Sequence, residues 1–186
     1  RYLSHSKGIG GKLRKVPEDF NVEEIIDNND KAHWIWAKEN NSGKHSIVKI
    51  TANNWDTHVL IKELSRKLRI GQKAIGFAGT KDKRALTTQY FSLMANPSEI
   101  KNLNIENIAI EFMHKTIKPI RLGNLVGNKF IIKISDTKCK KNDIEKLTDE
   151  LKDGFPNYFG IQRFGAVRPI THLVGKKIVK GDYEGA

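Results

Sequence analysis

Gly76-Phe77-Ala78-Gly79-Thr80-Lys81-Asp82-Lys83-Arg84-Ala85-Leu86-Thr87-Thr88-Gln89-Tyr90-Phe91 runs from apolar residues through a charged turn into β-branched and aromatic ones. Ala74 to Ala78 reads as a short strand ending at Gly79, and Leu86 to Met94 as a second strand. The turn between them carries one acid, Asp82, among Lys81, Lys83 and Arg84. Cations this close favour the ionised carboxylate. Such a group suits a nucleophile or an electrostatic stabiliser and is a poor general acid. The same cations could hold phosphates on either side of a target nucleotide. An ordinary surface salt-bridge turn has the same spacing, so both readings stand here.

Outward from this turn, periodicity supplies the other elements. Phe20 to Ile25 alternates apolar and polar residues, as a half-buried strand does. His33 to Lys38 and Ser46 to Ala52 read as further strands, with Asn40-Asn41-Ser42-Gly43 as the turn between them. Asn53-Asn54 opens a predicted helix whose apolar positions are Val59, Leu60, Leu64 and Leu68, with Gly71 as its C-terminal cap. Lys62, Arg66, Lys67 and Arg69 lie on its outer surface. A short helix is expected near 97–103, strands over Ile108 to His114 and Phe130 to Ile134, and helices over Asp143 to Lys152 and Ile170 to Val179. Residues 1–17 read as a basic loop or arm. Strands outnumber helices, which favours an α+β domain with a mixed, mainly antiparallel sheet flanked by helices.

The chain has 186 residues, a formal net charge of +12 and 38% hydrophobic residues. That apolar content supports a folded core, and the charge favours a polyanionic partner, nucleic acid first. Residues 1–15 and 163–180 each carry five Lys/Arg and no acid. Six acids, Glu18, Asp19, Glu23, Glu24, Asp27 and Asp30, gather within thirteen residues. The single cysteine, Cys139, cannot form an internal disulfide, and no apolar run approaches the ~20 residues of a membrane helix. A cytoplasmic protein with no membrane association is expected.

Three further patterns bear on chemistry. Gly8-Ile9-Gly10-Gly11-Lys12 lacks the spacing of a phosphate-binding loop, and Leu13 stands where Ser or Thr belongs. The six histidines show no metal-ligand spacing, so no metal site is expected. Phe155 to Gly165 mixes four aromatics with Arg163, Gln162 and Asn157, a composition suited to unpaired bases or to a buried aromatic turn.

Taken in order, these stretches resemble one family. Gly79-Thr80-Lys81-Asp82 with Ala85 and Thr87, then Gly127-Asn128-x-Phe130, then Asn157-Tyr158-Phe159-Gly160-x-Gln162-Arg163-Phe164-Gly165 are similar to the TruD family of tRNA pseudouridine synthases. Pro17-Glu18-Asp19-Phe20-x-Val22-x-Glu24 and Arg168-x-x-Thr171-His172-x-x-Gly175 extend the match, with an archaeal cast. The resemblance implies isomerisation of a tRNA uridine, typically at the thirteenth position in the D arm, with no metal or organic cofactor. It implies tRNA as partner, Asp82 as the essential carboxylate, Phe130 stacking on a flipped-out base and Asn128 positioning it. Phe20 is implied to pack near the pocket, and Lys81 and Arg84 to lie close to phosphates or to Asp82. Members are roughly twice this length, with an inserted domain. Residues 1–165 are therefore expected to be the N-terminal part of an incomplete catalytic domain, and 166–186 the start of the insertion. A monomer is favoured. Two alternatives stand beside the enzyme: a non-catalytic RNA-binding module using the same surface, and an aspartate-dependent hydrolase acting on nucleosides.

Overall fold

The computed structural model describes residues 4–25, 40–156, 158, 160–165 and 167–186, without the side chains of Ile161 and Gln162. The strand expected over His33 to Lys38, Asp27, Asp30, Asn157 and Phe159 lie outside the described residues. The chain folds as two compact units, Gly10–Lys138 and Arg1–Ile9 together with Cys139–Ala186. The domain boundary expected at residue 165 falls inside the second of these. Among the described residues no helix is long and apolar enough to cross a membrane.

The first unit is built on a mixed sheet. Its strands are β2 (Phe20–Ile25), β3 (His45–Asn53), β4 (Ile75–Phe77), β5 (Leu86–Leu93), β6 (Ile108–Thr116) and β7 (Gly127–Ile132). Their order is β6-β3-β5-β2-β7, with β4 also paired to β5. Of the pairings described, only β2 with β5 is parallel. The α+β, mainly antiparallel architecture expected from the sequence is therefore what forms. A separate two-stranded ladder joins β1 (Lys12–Leu13) to β8 (Ile134–Ser135). Part of the stretch expected to be a loose basic arm is thus paired to the end of the fold.

One side of the sheet is covered by α1 (Thr57–Leu68). Alternate residues Val48, Ile50 and Ala52 of β3 and Phe91 and Leu93 of β5 meet Leu60, Ile61, Leu64 and Leu68 of the helix. Ile100 and Ile105, from and after α2 (Pro97–Lys101), close the same core. Ile47 and Tyr90 point the other way and pack with Ala78 and Ile120.

Three local expectations change. The helix begins at Thr57, not at Asn53, because Asn53 still pairs with Leu86 in the sheet and Asn54 takes a left-handed φ of 61°. Asp56 is the N-cap, its carboxylate accepting from the N–H groups of His58 and Val59 at 2.9 and 3.1 Å. The helix ends at Arg69, left-handed at φ 54°, ahead of Gly71. Arg66 and Lys67 occupy its last turn, where cations complement the helix dipole. Val59 is exposed and Ile61 takes the inner face, because Leu60, Ile61, Leu64 and Leu68 form one continuous stripe.

The second unit holds α3 (Lys141–Leu151), a single turn at Ile161–Phe164 and α4 (Thr171–Val179). Glu150 ties its two chain segments together by accepting from the backbone of His5 at 2.7 Å and from Ser6. Phe155 and Tyr158 are well exposed, and Phe164 meets His172 edge-on at 5.4 Å. The described aromatics of the 155–165 stretch are therefore not a buried turn.

Candidate active site

The site forms where the sheet changes partners. Along one edge of β5, β2 pairs as far as Glu23 opposite Thr88, whereas β4 pairs from Phe77 opposite Phe91. Between these stretches the chain from Ala78 to Ala85 leaves the sheet, and Gln89 and Tyr90 lie at the gap. Three buried side chains fasten the excursion. Gln89 Nε2 donates to the Gly79 carbonyl at 2.8 Å. Thr57 Oγ1, at the first turn of α1, accepts from the Lys81 N–H at 2.9 Å and donates to Gln89 Oε1 at 3.3 Å. Glu24 Oε2 accepts from the Tyr90 N–H at 2.9 Å, while its Oε1 meets Lys81 Nζ at 2.7 Å.

That last contact gives Lys81 a partner that spacing along the chain did not name: its ammonium binds Glu24, while the residue still lines the cleft beside Asp82. Its side chain is 5% exposed and its partner Glu24 only 1%. The reason is the strand period: Phe20, Val22 and Glu24 share one face of β2, and Glu24 is the position where that face runs beneath the turn. A lone buried carboxylate is costly, so it takes the nearest ammonium.

With Lys81 turned inward, Asp82 is presented outward, its side chain 51% exposed. The cation that meets it comes from elsewhere. Arg14 Nη2 lies 3.2 Å from Asp82 Oδ2, and the same guanidinium sits 3.8 Å above the ring of Phe20. Lys83 and Arg84 are exposed on the turn and outside the pocket lining.

β7 completes the pocket. Its register sets Phe130 opposite Val22 and Asn128 opposite Glu24, so both side chains rise on the face that carries the turn. A cleft of about 230 Å³ is lined by Val22, Thr80, Lys81, Asp82, Asn128 and Phe130. It is smaller than the ~300–1,000 Å³ of drug-sized ligand sites and suits one flat ring. Phe130 is 52% exposed and offers a free ring surface. Phe20 stands beside it edge-on, with centroids 6.0 Å apart and planes at 69°, and does not itself line the cleft. Phe20 owes its place to the turn Pro17–Asp19, whose buried Asp19 accepts from the Val16 N–H at 3.2 Å and pairs with Lys133 at 3.6 Å.

The structure thus gathers Asp82, Lys81, Asn128 and Phe130 around one cleft, sets Phe20 behind Phe130 and leaves Arg84 at the rim of the turn. Sequence reasoning missed Arg14, Thr57 and Gln89, and gave Glu24 no role. Only Glu24 carried a signal: a charge on the otherwise inward side of an alternating strand. The acid cluster at 18–24 also finds its use here, since Asp19, Glu23 and Glu24 each pair with a lysine of the same unit.

Chemically, a solvent-reachable carboxylate held by a guanidinium lies beside an exposed aromatic face and a carboxamide. The ring can stack on a base, the amide can donate to or accept from its edge, and the carboxylate can attack or take a proton. Among the described residues no three His, Cys, Asp or Glu side chains gather as a metal site would require.

Comparison with known proteins places this geometry. The family model for tRNA pseudouridine synthase D (TruD) matches residues 1–186. A protein of Methanococcoides burtonii described as "Probable tRNA pseudouridine synthase D" is 44% identical over 192 residues, covering all of this chain and 42% of its own length. One of Thermococcus sibiricus with the same description is 43% identical over 196 residues, covering 44% of its length. A crystal structure of a TruD homologue from Methanosarcina mazei superposes with a TM-score of 0.85 at 43% identity, again over all of this chain and 42% of the other. The chain spans about two fifths of the length of the curated relatives it matches. Full coverage by the family model, together with that fold, shows that the chain belongs to the tRNA pseudouridine synthase D (TruD) family.

Proposed function

We propose that the protein carrying this chain isomerises a uridine in tRNA to pseudouridine, with Asp82 as the catalytic carboxylate. The observation that carries this reading is the cleft that sets Asp82 beside Asn128 and Phe130. The target is the uridine at the thirteenth position, in the D arm. It must leave the stack to reach a cleft of this size, and an exposed aromatic ring repays part of the lost stacking. Phe130 stacks on the flipped base, Asn128 fixes its edge, and Phe20 backs Phe130. In the reaction the bond from N1 to C1′ of the ribose breaks and a bond from C5 to C1′ forms. The C5 proton leaves and N1 gains one, so no oxidant or reductant is consumed. Asp82 serves this sequence by attacking ribose or base, or by taking the C5 proton. Residues 166–186 begin the inserted domain of the family.

The test is tritium release from tRNA labelled at uridine C5, using a protein extended to the length of the relatives beside this chain alone. Release at one D-arm uridine that disappears in Asp82→Ala, with tRNA still bound, is the expected result. Binding without release by either protein would favour the RNA-binding module, and unchanged release in Asp82→Ala would remove the catalytic assignment.

A further inference from the structure

Gly10-Gly11-Lys12, set aside above as a failed phosphate loop, has a place in the fold. Residues 10–15 run as a strap against the end of β8. Lys12 pairs with Ser135 and Leu13 with Ile134. Two residue pairs make a short ladder, and a ladder that short does not hold itself.

Two devices reinforce it. Gly11 has φ +109°, and a Cβ there would fall 2.6 Å from Ile134 Cγ2, 2.9 Å from the Ser135 carbonyl and 3.1 Å from Thr137 Cγ2. The backbone approach and the dihedral both demand glycine. Asp136 receives Lys15 at 3.1 Å and Lys12 at 3.4 Å, cations that flank Arg14 in the chain. The hydrogen bonds from Lys15 and then Lys12, with the charge of Lys15, hold the Asp136 carboxyl below its ordinary range. Arg14 itself is left-handed at φ 55° and ends the strap's extended run. Its guanidinium is the group that meets both Asp82 and the Phe20 ring.

We infer that Gly11 and Asp136 are positioning residues for the pocket, pinning the strap to β8 so that Arg14 is delivered to Asp82. The inference rests on the reading of Asp82 as the catalytic carboxylate. Neither residue touches the cleft; both act through Arg14. A long arginine on an unpinned arm would spread over many rotamers, and a carboxylate whose partner wanders loses its aim.

The test uses the full-length protein, tritium release, and kcat separated from the KM for tRNA. Misplacement of a reacting group by about 1 Å can cost ~10²-fold, so Gly11→Ala is expected to lower kcat to about the level of Arg14→Ala, with KM little changed. Asp136→Asn, a replacement at an exposed side chain that threatens no core, is expected to lower kcat in the same sense. In the Arg14→Ala background neither change lowers kcat further. Gly8→Ala, where nothing lies within 4 Å, serves as the control and retains full activity. Full activity in both Gly11→Ala and Asp136→Asn would overturn the inference. So would losses that multiply with that of Arg14→Ala, since the strap would then act by some other route. In those two cases the reading of Asp82 survives. A wild-type protein that releases no tritium would overturn that reading and this inference together.

Discussion

Replacing Glu24 by glutamine isolates the charge that holds the turn of Asp82. The amide keeps the shape of the carboxylate and an oxygen for the Tyr90 N–H, now 2.9 Å from Glu24 Oε2. What it removes is the partner of Lys81, whose ammonium lies 2.7 Å away on a side chain only 5% exposed. Removing one member of a buried pair costs about 3–5 kcal/mol, because the other charge is stranded. Retaining an acceptor avoids the further ~1–3 kcal/mol of an orphaned backbone N–H. With a urea dependence of about 2 kcal/mol per M, the midpoint of unfolding falls by roughly 1.5–2.5 M. Lys81→Met strands the opposite charge and is expected to lose a comparable amount. The double variant carries no buried charge, so its loss falls well short of the sum of the two single losses. Urea unfolding followed in parallel by circular dichroism and tryptophan fluorescence measures all four proteins and tests whether the transitions coincide. Midpoint shifts below about 0.5 M in both single variants, or strict additivity in the double, would refute a buried, structurally coupled pair. On the proposed function, Glu24→Gln in a full-length protein is also expected to lower turnover, because Lys81 and Asp82 are neighbours on one fastened turn.

Asp56→Ala removes the carboxylate that caps two N–H groups of α1 and is expected to cost about 1 kcal/mol, read as a lower urea midpoint. Phe91 is fully buried between β3 and β4, so Phe91→Ala is expected to destabilise by about 3–5 kcal/mol. Phe130→Ala deletes an exposed ring, and on the proposed function it lowers kcat/KM by about 1–3 kcal/mol of stacking while leaving the thermal midpoint nearly unchanged. Burial holds His45 below its ordinary 6.5, so the unfolded chain takes up this proton before the folded one does. Its stabilising contribution is therefore present above about pH 6.5 and is lost as the pH falls from there through the lowered folded value. His45→Gln is expected to flatten that slope in thermal melts taken across pH 5–8.

The elements legible in the sequence were those whose patterns are local. The alternation of Phe20 to Ile25 and the apolar runs in β3 and β5 formed strands as expected, since a half-buried sheet imposes a period of two. The starts and stops of α1 were less legible. Asn53-Asn54 resembles a cap, but Asn53 gains a ladder partner in Leu86 and the cap passes to Asp56. Val59 and Ile61 are equally apolar neighbours, and only contact with the sheet decides which faces inward.

The sequence by itself determined the family, the mainly antiparallel α+β class and the turn that carries Asp82, because motif residues and hydrophobic periods are written along the chain. The tertiary structure alone decided how that turn works. In sequence, Lys81 adjoins Asp82 and Arg14 is remote; in space, Lys81 belongs to Glu24 and Arg14 to Asp82. Ion pairs form over a few ångströms of space, and burial decides which charge must be neutralised first. Neither quantity follows from spacing along the chain until the strands have set their register.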